Sequence, residues 1–428
     1  MAKEDSVDAL GSATWLGADV YEPGDVLYER ATRFFASVNW DALASISSSL
    51  RDGTPCHLGD RFSIGTFNMV RHIVFADGVS WVARLRMPPP KEILGDRSKL
   101  DIATTLGLEI ASMRFFKART SIPVPEVHFC DSDTSNSVGA PYMLMDYIHG
   151  TVATKLRSAN NCAIGLFGTP EQDRKFRRQM ASIQATVSSF TFDRIGSLYQ
   201  DEKTFEFFIG PEFETGKGPW VSSADYYSDL ADFRLEECVR NADLETQTSI
   251  SFAIPTLFKH LISLYGHRRS MRGPFRLVNR DFGAHNLLVN NDFDIVGVID
   301  FDAVMAAPIE VVAQFPALTG LSPETPGHVE TRPLAIERIR RTRPRLKEYR
   351  DLVEAAEAGM GANNPNRRGG TVASLLLSDA ASIYQGLEAY ESNQGWVNDR
   401  WMQAYLKLLR KHVQAEEALS SIKELFDT

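Results

Sequence analysis

Cysteine is scarce: four in 428 residues, at Cys56, Cys130, Cys162 and Cys238, with no Cys-x-x-Cys pair. That spacing excludes a disulfide framework and the common zinc sites, and leaves four reduced thiols as the expectation. Nowhere do about 18 apolar residues run together, so no membrane-spanning helix is expected. Basic residues are in the minority, with 46 Lys and Arg against 55 Asp and Glu, a formal net charge of −9. A nucleic-acid binder or an anionic-membrane binder usually shows the opposite balance, so neither partner is expected. The opening Met1-Ala-Lys-Glu-Asp-Ser lacks the apolar core of a secretory signal, and a cytoplasmic location is expected.

What is present is an ordinary globular composition, 43% hydrophobic and 24% charged, long enough for two lobes. Helical patterns occur at Leu27 to Phe35 and Leu43 to Leu50. Between Arg61 and Arg86, short apolar runs flank Asp77-Gly78, a hairpin signal. On the second strand Trp81, Ala83 and Leu85 share one face and Val82, Arg84 and Arg86 the other. Pro88-Pro89-Pro90 ends that strand, and a helix is expected from Asp101 to Ala118. Its inward stripe is Ile102, Leu106, Ile110 and Met113. Glu109 lies at the edge of that stripe and requires a partner, because an unpaired buried charge is costly. Strands are expected at Val127 to Cys130 and Pro141 to Tyr147. A mainly helical pattern then runs to about Leu264, and helices follow a second hairpin to the C-terminus. The clearest exposed loop is Asn363 to Gly370, and no internal repeat is visible. The expected domains are a helical extension over 1–55, a sheet-rich lobe over 56–147 and a helical lobe over 148–428. The fold class is α+β.

The chemistry concentrates in Leu277-Val-Asn-Arg-Asp-Phe-Gly-Ala-His-Asn-Leu-Leu-Val289 and Gly297-Val-Ile-Asp-Phe-Asp302. Phosphoryl transfer requires a carboxylate to orient the acceptor hydroxyl and oxygen ligands to hold Mg²⁺ against the phosphates. Asp281-x-x-x-x-Asn286 has the spacing of a kinase catalytic loop, and the following hairpin delivers Asp300 where a metal-binding carboxylate is required. Asp281-Phe282-Gly283 also spells a protein-kinase metal motif. That assignment demands a His-Arg-Asp about 20 residues upstream, where only His267-Arg268-Arg269 stands. Asp281 as the catalytic-loop carboxylate accounts for Asn286 and Asp300 together.

The segment resembles the catalytic core of the aminoglycoside phosphotransferase family, in particular its fungal-type members. The resemblance extends over about residues 60 to 320. It includes Trp81-Val-Ala-Arg84-Leu, Thr120-Ser-Ile-Pro-Val-Pro-Glu-Val127, Pro141-Tyr-Met-Leu-Met-Asp-Tyr-Ile-His-Gly150 and Phe192-Asp-Arg-Ile-Gly-Ser-Leu-Tyr199. It implies a two-lobed protein-kinase-like fold using ATP or GTP and Mg²⁺. Asp281 would be the base, and Asn286 and Asp300 would hold the metal. Arg84 would stand where the family places a phosphate-contacting lysine, paired to Glu109. Met145 to Ile148, including Tyr147, would be a hinge offering backbone groups to a purine, and the segment Ile64 to Asn68, with its one glycine, Gly65, would cover the phosphates.

Three departures stand out. Asn279 replaces the His that usually opens the loop, a change that touches geometry more than chemistry. Arg84 replaces Lys, a planar fork for a point charge. Arg280 adjoins Asp281, where it either steadies a phosphate or acceptor anion or faces solvent. Asp302 is either a second group near the metal or a cap, His285 is expected to be solvated or packed, and Met143 and Met145 to pack. The Ala-Pro-Glu segment of protein kinases is absent, so a small-molecule acceptor is expected. Two alternatives remain: a non-catalytic kinase-like binding protein, and an enzyme whose phosphorylated product goes on to elimination or cyclisation.

Overall fold

The computed structural model describes residues 15–88, 101–163, 165–240, 249–267, 271–323, 333–360, 370–390 and 395–411. The expected loop at 363–369, Pro89-Pro90 and Arg268-Arg269 lie outside the described residues. The chain divides into two compact units. The first comprises Met1–Phe176, Leu198–Phe208 and Gly283–Val304; the second comprises Arg177–Ser197, Ile209–Phe282 and Met305–Thr428.

The first unit opens with helices α1 (Val26–Ser37) and α2 (Trp40–Ser49). The Asp25 side chain accepts from Leu27 N and that of Asn39 from Ala42 N, satisfying amides that a helix start leaves unpaired. Strands β1 (Cys56–Ile64), β2 (Asn68–Phe75) and β3 (Ser80–Arg86) follow, then helix α3 (Ile102–Arg119) and strands β4 (Val127–Asp131) and β5 (Tyr142–Asp146). They form an antiparallel sheet in the order β1-β2-β3-β5-β4. The β2–β3 turn falls on Asp77-Gly78 as expected: Gly78 has φ 85°, and Asp77 Oδ1 accepts from Val79 N at 3.1 Å.

Register separates the two faces of this sheet. Asn68 pairs with Arg86, Val70 with Arg84 and His72 with Val82, and across β3 Arg84 pairs with Met143 and Val82 with Met145. These side chains share one face, because successive residues of a strand alternate. The other face carries Met69, Ile73, Trp81, Ala83, Leu85 and Leu144 into a core completed by Phe34, Val38 and Leu43 of the α1–α2 region. Residues 26–49 are thus part of the first unit's core and no separate extension. Met143 and Met145 are buried, as expected. In α3 the stripe of Leu106, Ile110 and Met113 is buried, and Asp101 Oδ1 caps the helix through Thr104 N at 2.8 Å.

After β5 come β6 (Thr151–Val152), α4 (Ala153–Ala159) and α5 (Pro170–Ser188), then β7 (Thr191–Phe192), β8 (Gly196–Gln200), β9 (Phe207–Gly210), α6 (Ser223–Arg240), α7 (Ser249–Tyr265) and β10 (Phe275–Asn279). The stretch expected to be helical to Leu264 therefore contains four strands. Each is two to five residues long, too short for its alternation to stand out in sequence. The hairpin β11 (Leu287–Val289) and β12 (Ile295–Val298) follows, with β11 also pairing β6 through Leu288–Val152 and Val289–Thr151. That pairing places the hairpin in the first unit, whose boundary is therefore not at residue 147. The chain closes with β13 (Val304–Ala307), α8 (Ile309–Val312), α9 (Pro333–Gly359), α10 (Val372–Leu375), α11 (Asp379–Glu388) and α12 (Gly395–Arg410). In the second unit β10 pairs β7 and β13 pairs β8, both antiparallel. The architecture is a mixed helix-and-sheet fold with an antiparallel-sheet unit, the expected class. Among the described residues no helix is long and apolar enough to cross a membrane.

Candidate active site

Strand β10 ends in Asn279, and the chain then turns through Arg280 and Asp281. Asn279 is buried; its Oδ1 accepts from Asp281 N at 3.0 Å, and its carbonyl accepts from Phe282 N at 3.1 Å. The asparagine that replaces the expected histidine thus holds the backbone of Asp281, the local side-chain-to-backbone bond this residue type favours. The boundary between the units falls between Phe282 and Gly283, so Asp281 belongs to the second unit and Asn286 and Asp300 to the first.

Within the first unit, Asn286 N donates to Gly283 O and Asn286 O accepts from Ile299 N, each at 3.0 Å. With Leu287 opposite Val298, the hairpin carries Asn286 and Asp300 to the same open end. Asp300 has φ 66°, a left-handed conformation that a residue with a Cβ adopts at a cost. Such outliers collect at functional sites, where the surroundings fix a side chain's direction against local preference.

Asp300 Oδ1 lies 2.9 Å from Arg84 Nη2, and Arg84 Nη1 lies 3.0 Å from Glu109 Oε1. The expected Arg84–Glu109 pair is therefore present, and Arg84 also reaches Asp300. Glu109 is 0% exposed. Burial pushes its carboxyl up to about 7, although the Arg84 guanidinium pulls the other way. Burial also acts to raise Asp300, but Arg84 outweighs it and holds that carboxyl below its ordinary value. The Arg84 guanidinium itself is raised: burial works against its charge, and the carboxylates of Asp300, Glu109 and Asp302 more than offset it. Asp302, two residues beyond Asp300, lies 3.5 Å from Arg86 Nη1.

Asn286 and Asp300 supply one amide and one carboxylate, both oxygen donors. Among the described residues no three His, Cys, Asp or Glu side chains gather into a metal cage. A two-oxygen donor set fits Mg²⁺, which takes one or two protein oxygens and completes its shell with waters and substrate phosphates.

Arg280 requires a correction. Its guanidinium neither faces solvent nor stands open to an anion. It is 3.2 Å from Glu212 Oε1, 3.0 Å from Glu214 Oε2 and 3.6 Å from Glu388 Oε1. Arg234 joins the same group, 3.0 Å from Glu214 Oε1 and 2.9 Å from Glu237 Oε2. Burial raises the Glu212 carboxyl. Burial acts the same way on Glu214, but Arg234 and Arg280 together pull it down to about 2. The carboxylates around Arg280 already offset its charge and would repel a phosphate anion brought beside it.

The expected hinge spans Met145 to Ile148. Asp146 N donates to Glu126 O at 3.0 Å and Tyr147 N to Ser80 O at 3.3 Å, so these two donors are taken by the sheet. Tyr147 instead presents its ring, stacked on His72 with centroids 4.3 Å apart and 6.4 Å from Trp15. Gly65 N donates to Asn68 O and closes the β1–β2 turn, where an added Cβ would meet only that oxygen at 4.0 Å. His285 is half-buried, and its charge lowers Asp300 further.

Sequence reasoning did not single out Glu212, Glu214 or Asn68. The Asn68 carboxamide, turned so that its oxygen faces the sheet's arginines, accepts from Arg84 Nη2 at 2.7 Å and Arg86 Nη1 at 3.3 Å. A signal for the Arg86–Asp302 contact was present, because Arg84-x-Arg86 on a strand answers Asp300-x-Asp302 with the same spacing.

The profile of the phosphotransferase enzyme family matches residues 85–311. A subtelomeric hrmA-associated cluster protein of Aspergillus fumigatus is 30% identical over 135 residues, 32% of this chain and 23% of that protein. The mitochondrial altered inheritance of mitochondria protein 9 of Debaryomyces hansenii is 27% identical over 135 residues, 32% and 20% of the two chains. The matched segment is thus about a fifth to a quarter of the length of these curated relatives. Among solved structures, the macrolide 2'-phosphotransferase MphH of Brachybacterium faecium is similar over 89% of this chain and 97% of its own, with 13% identity and a TM-score of 0.42. Amicoumacin kinase hAmiN, solved with AMP-PNP, Ca²⁺ and amicoumacin, is similar over 92% and 96%, with 11% identity and a TM-score of 0.42.

Proposed function

The chain belongs to the phosphotransferase enzyme family, and from that premise we propose that it moves the terminal phosphate of ATP or GTP to a hydroxyl of a small molecule. The observation that carries this reading is the arrangement at the end of the β11–β12 hairpin. There Asn286 and Asp300 are joined through the Ile299–Asn286 backbone bond, with Asp300 in a left-handed conformation and ion-paired to Arg84.

Asp281 is assigned as the base, its backbone set by Asn279. The acceptor oxygen forms a bond to the terminal phosphorus, the bond from that phosphorus to the leaving diphosphate breaks, and the hydroxyl proton passes to the Asp281 carboxylate. Asn286 and Asp300 are assigned to Mg²⁺, which when bound neutralises charge on the phosphates. Glu109 and Arg84 orient Asp300. The net charge of −9 and a sequence without an Ala-Pro-Glu segment support a small acceptor and no nucleic-acid partner. A cytoplasmic location remains part of the proposal.

The test is phosphate transfer from labelled ATP and GTP, with Mg²⁺, to water and to a panel of hydroxyl-bearing amines and sugars. Transfer that Asp281→Asn reduces by about two to four orders of magnitude supports the assignment. Full transfer in Asp281→Asn would remove Asp281 from its role, and nucleotide binding without any transfer would leave a binding protein.

A further inference from the structure

The sheet face that carries Arg84 carries a second arginine to which the proposed reaction assigns no role. Arg86 lies two residues along β3, its side chain 10% exposed. Its guanidinium sits 5.2 Å from the centroid of Phe67, in the turn expected to cover phosphates, and that turn is fixed to the strand by Met87 N donating to Phe67 O at 2.8 Å. The two arginines differ in how far their donors are spent. Arg84 has Nη1 at Glu109, Nη2 at Asp300, and Nη2 and Nε at the Asn68 oxygen. Arg86 uses only Nη1, towards Asn68 and towards Asp302 at 3.5 Å; among the described residues its Nε and Nη2 meet no acceptor.

These differences decide which arginine can take on a new anion. Moving Arg84 would leave the carboxylate of Glu109, wholly buried, without its cation, and breaking a buried pair in that way is strongly destabilising. Moving Arg86 gives up two long contacts of Nη1, to the Asn68 oxygen at 3.3 Å and to Asp302 at 3.5 Å, and strands no wholly buried carboxylate. A guanidinium with a free edge, steadied on an aromatic ring, fits the paired oxygens of a phosphate.

Building on the proposed kinase reading, we propose that Arg86 is the side chain that grips the nucleotide's phosphates, with Asp302 holding it in readiness and Arg84 acting as a strut between Glu109 and Asp300. The phosphate contact that family resemblance would give to Arg84 passes to its neighbour two residues on.

Calorimetric titration of the full chain with ATP and with adenosine, both with Mg²⁺, tests this on the wild type, Arg86→Gln and Arg86→Lys, with thermal midpoints measured alongside. Arg86→Gln is expected to weaken ATP about tenfold or more and leave adenosine unchanged, the scale of a lost hydrogen bond to a charged group. Should Arg86→Gln fail to fold, the ATP-to-adenosine ratio of Arg86→Lys is read instead, and a fall of about threefold or more supports the proposal. A ratio equal to wild type in the folded variant overturns it while leaving the kinase reading intact. A wild type that binds no nucleotide overturns both.

Discussion

Each unit buries an arginine among carboxylates, and the two clusters are built to different ends. In the second unit Arg280 and Arg234 are enclosed by Glu212, Glu214, Glu237 and Glu388, with the Glu212 side chain 1% exposed. In the first unit Arg84 ties the buried Glu109 to Asp300, whose side chain is 31% exposed and whose backbone is left-handed. Each cluster has a part-exposed carboxylate, Glu388 at 34% in the second unit, but of the two only Asp300 is held in a left-handed backbone. The network around Arg280 and Arg234 orders the chain next to Asp281, whereas the Arg84 cluster presents a carboxylate on a strained backbone to something that is not protein. Burial of charge alone therefore does not mark function; burial with one member directed outward and held in a strained backbone does.

Substitutions should separate the two. The largest effect is expected at neither arginine but at Asp281, where replacement by Asn should lower transfer by about 10²- to 10⁴-fold with little change in the unfolding midpoint. Next comes Arg280→Met, which leaves the buried Glu212 carboxylate without its arginine and should cost about 3–5 kcal/mol in urea unfolding. If Arg280→Met were instead as stable as wild type but catalytically dead, the cluster would belong to the chemistry and the contrast would fail.

The pH dependence should run in opposite directions in the two clusters. Glu214 is held at about 2, below its ordinary 4.5. Its contribution to stability is full above about 4.5 and is lost as pH falls towards 2, so Glu214→Gln should flatten that acid limb. Glu109 is raised from 4.5 to about 7. Folding favours its protonated form, so its contribution is full below 4.5 and is lost as pH rises through about 7, and Glu109→Gln should remove that smaller slope. Unfolding midpoints of the two variants across pH 2 to 8 measure both.

How much was legible beforehand follows from the range of the signals. The Asp77-Gly78 turn, the α3 stripe and the need of Glu109 for a partner were readable, because each rests on residues within a few positions or on one charge that cannot stay alone. The hairpin joining Asn286 to Asp300 was readable for the same reason. The environment of Arg280 was not, since Glu214 and Glu212 precede it by 66 and 68 residues and nothing local announces them. The short strands β6 to β9 were hidden by their length. The pairing of Asp146 N with Glu126 and of Tyr147 N with Ser80 was not legible, because only the completed sheet brings those partners together.

The most direct test is thermal unfolding of wild type and Asp300→Ala with ATP or GTP, with and without Mg²⁺. Nucleotide at about 100 times its dissociation constant should stabilise the wild type by roughly 2.7 kcal/mol. That gain should require Mg²⁺ and vanish in Asp300→Ala. A shift that persists unchanged in Asp300→Ala, or no shift with either nucleotide, would contradict the assignment of Asn286 and Asp300 to a nucleotide-bound metal.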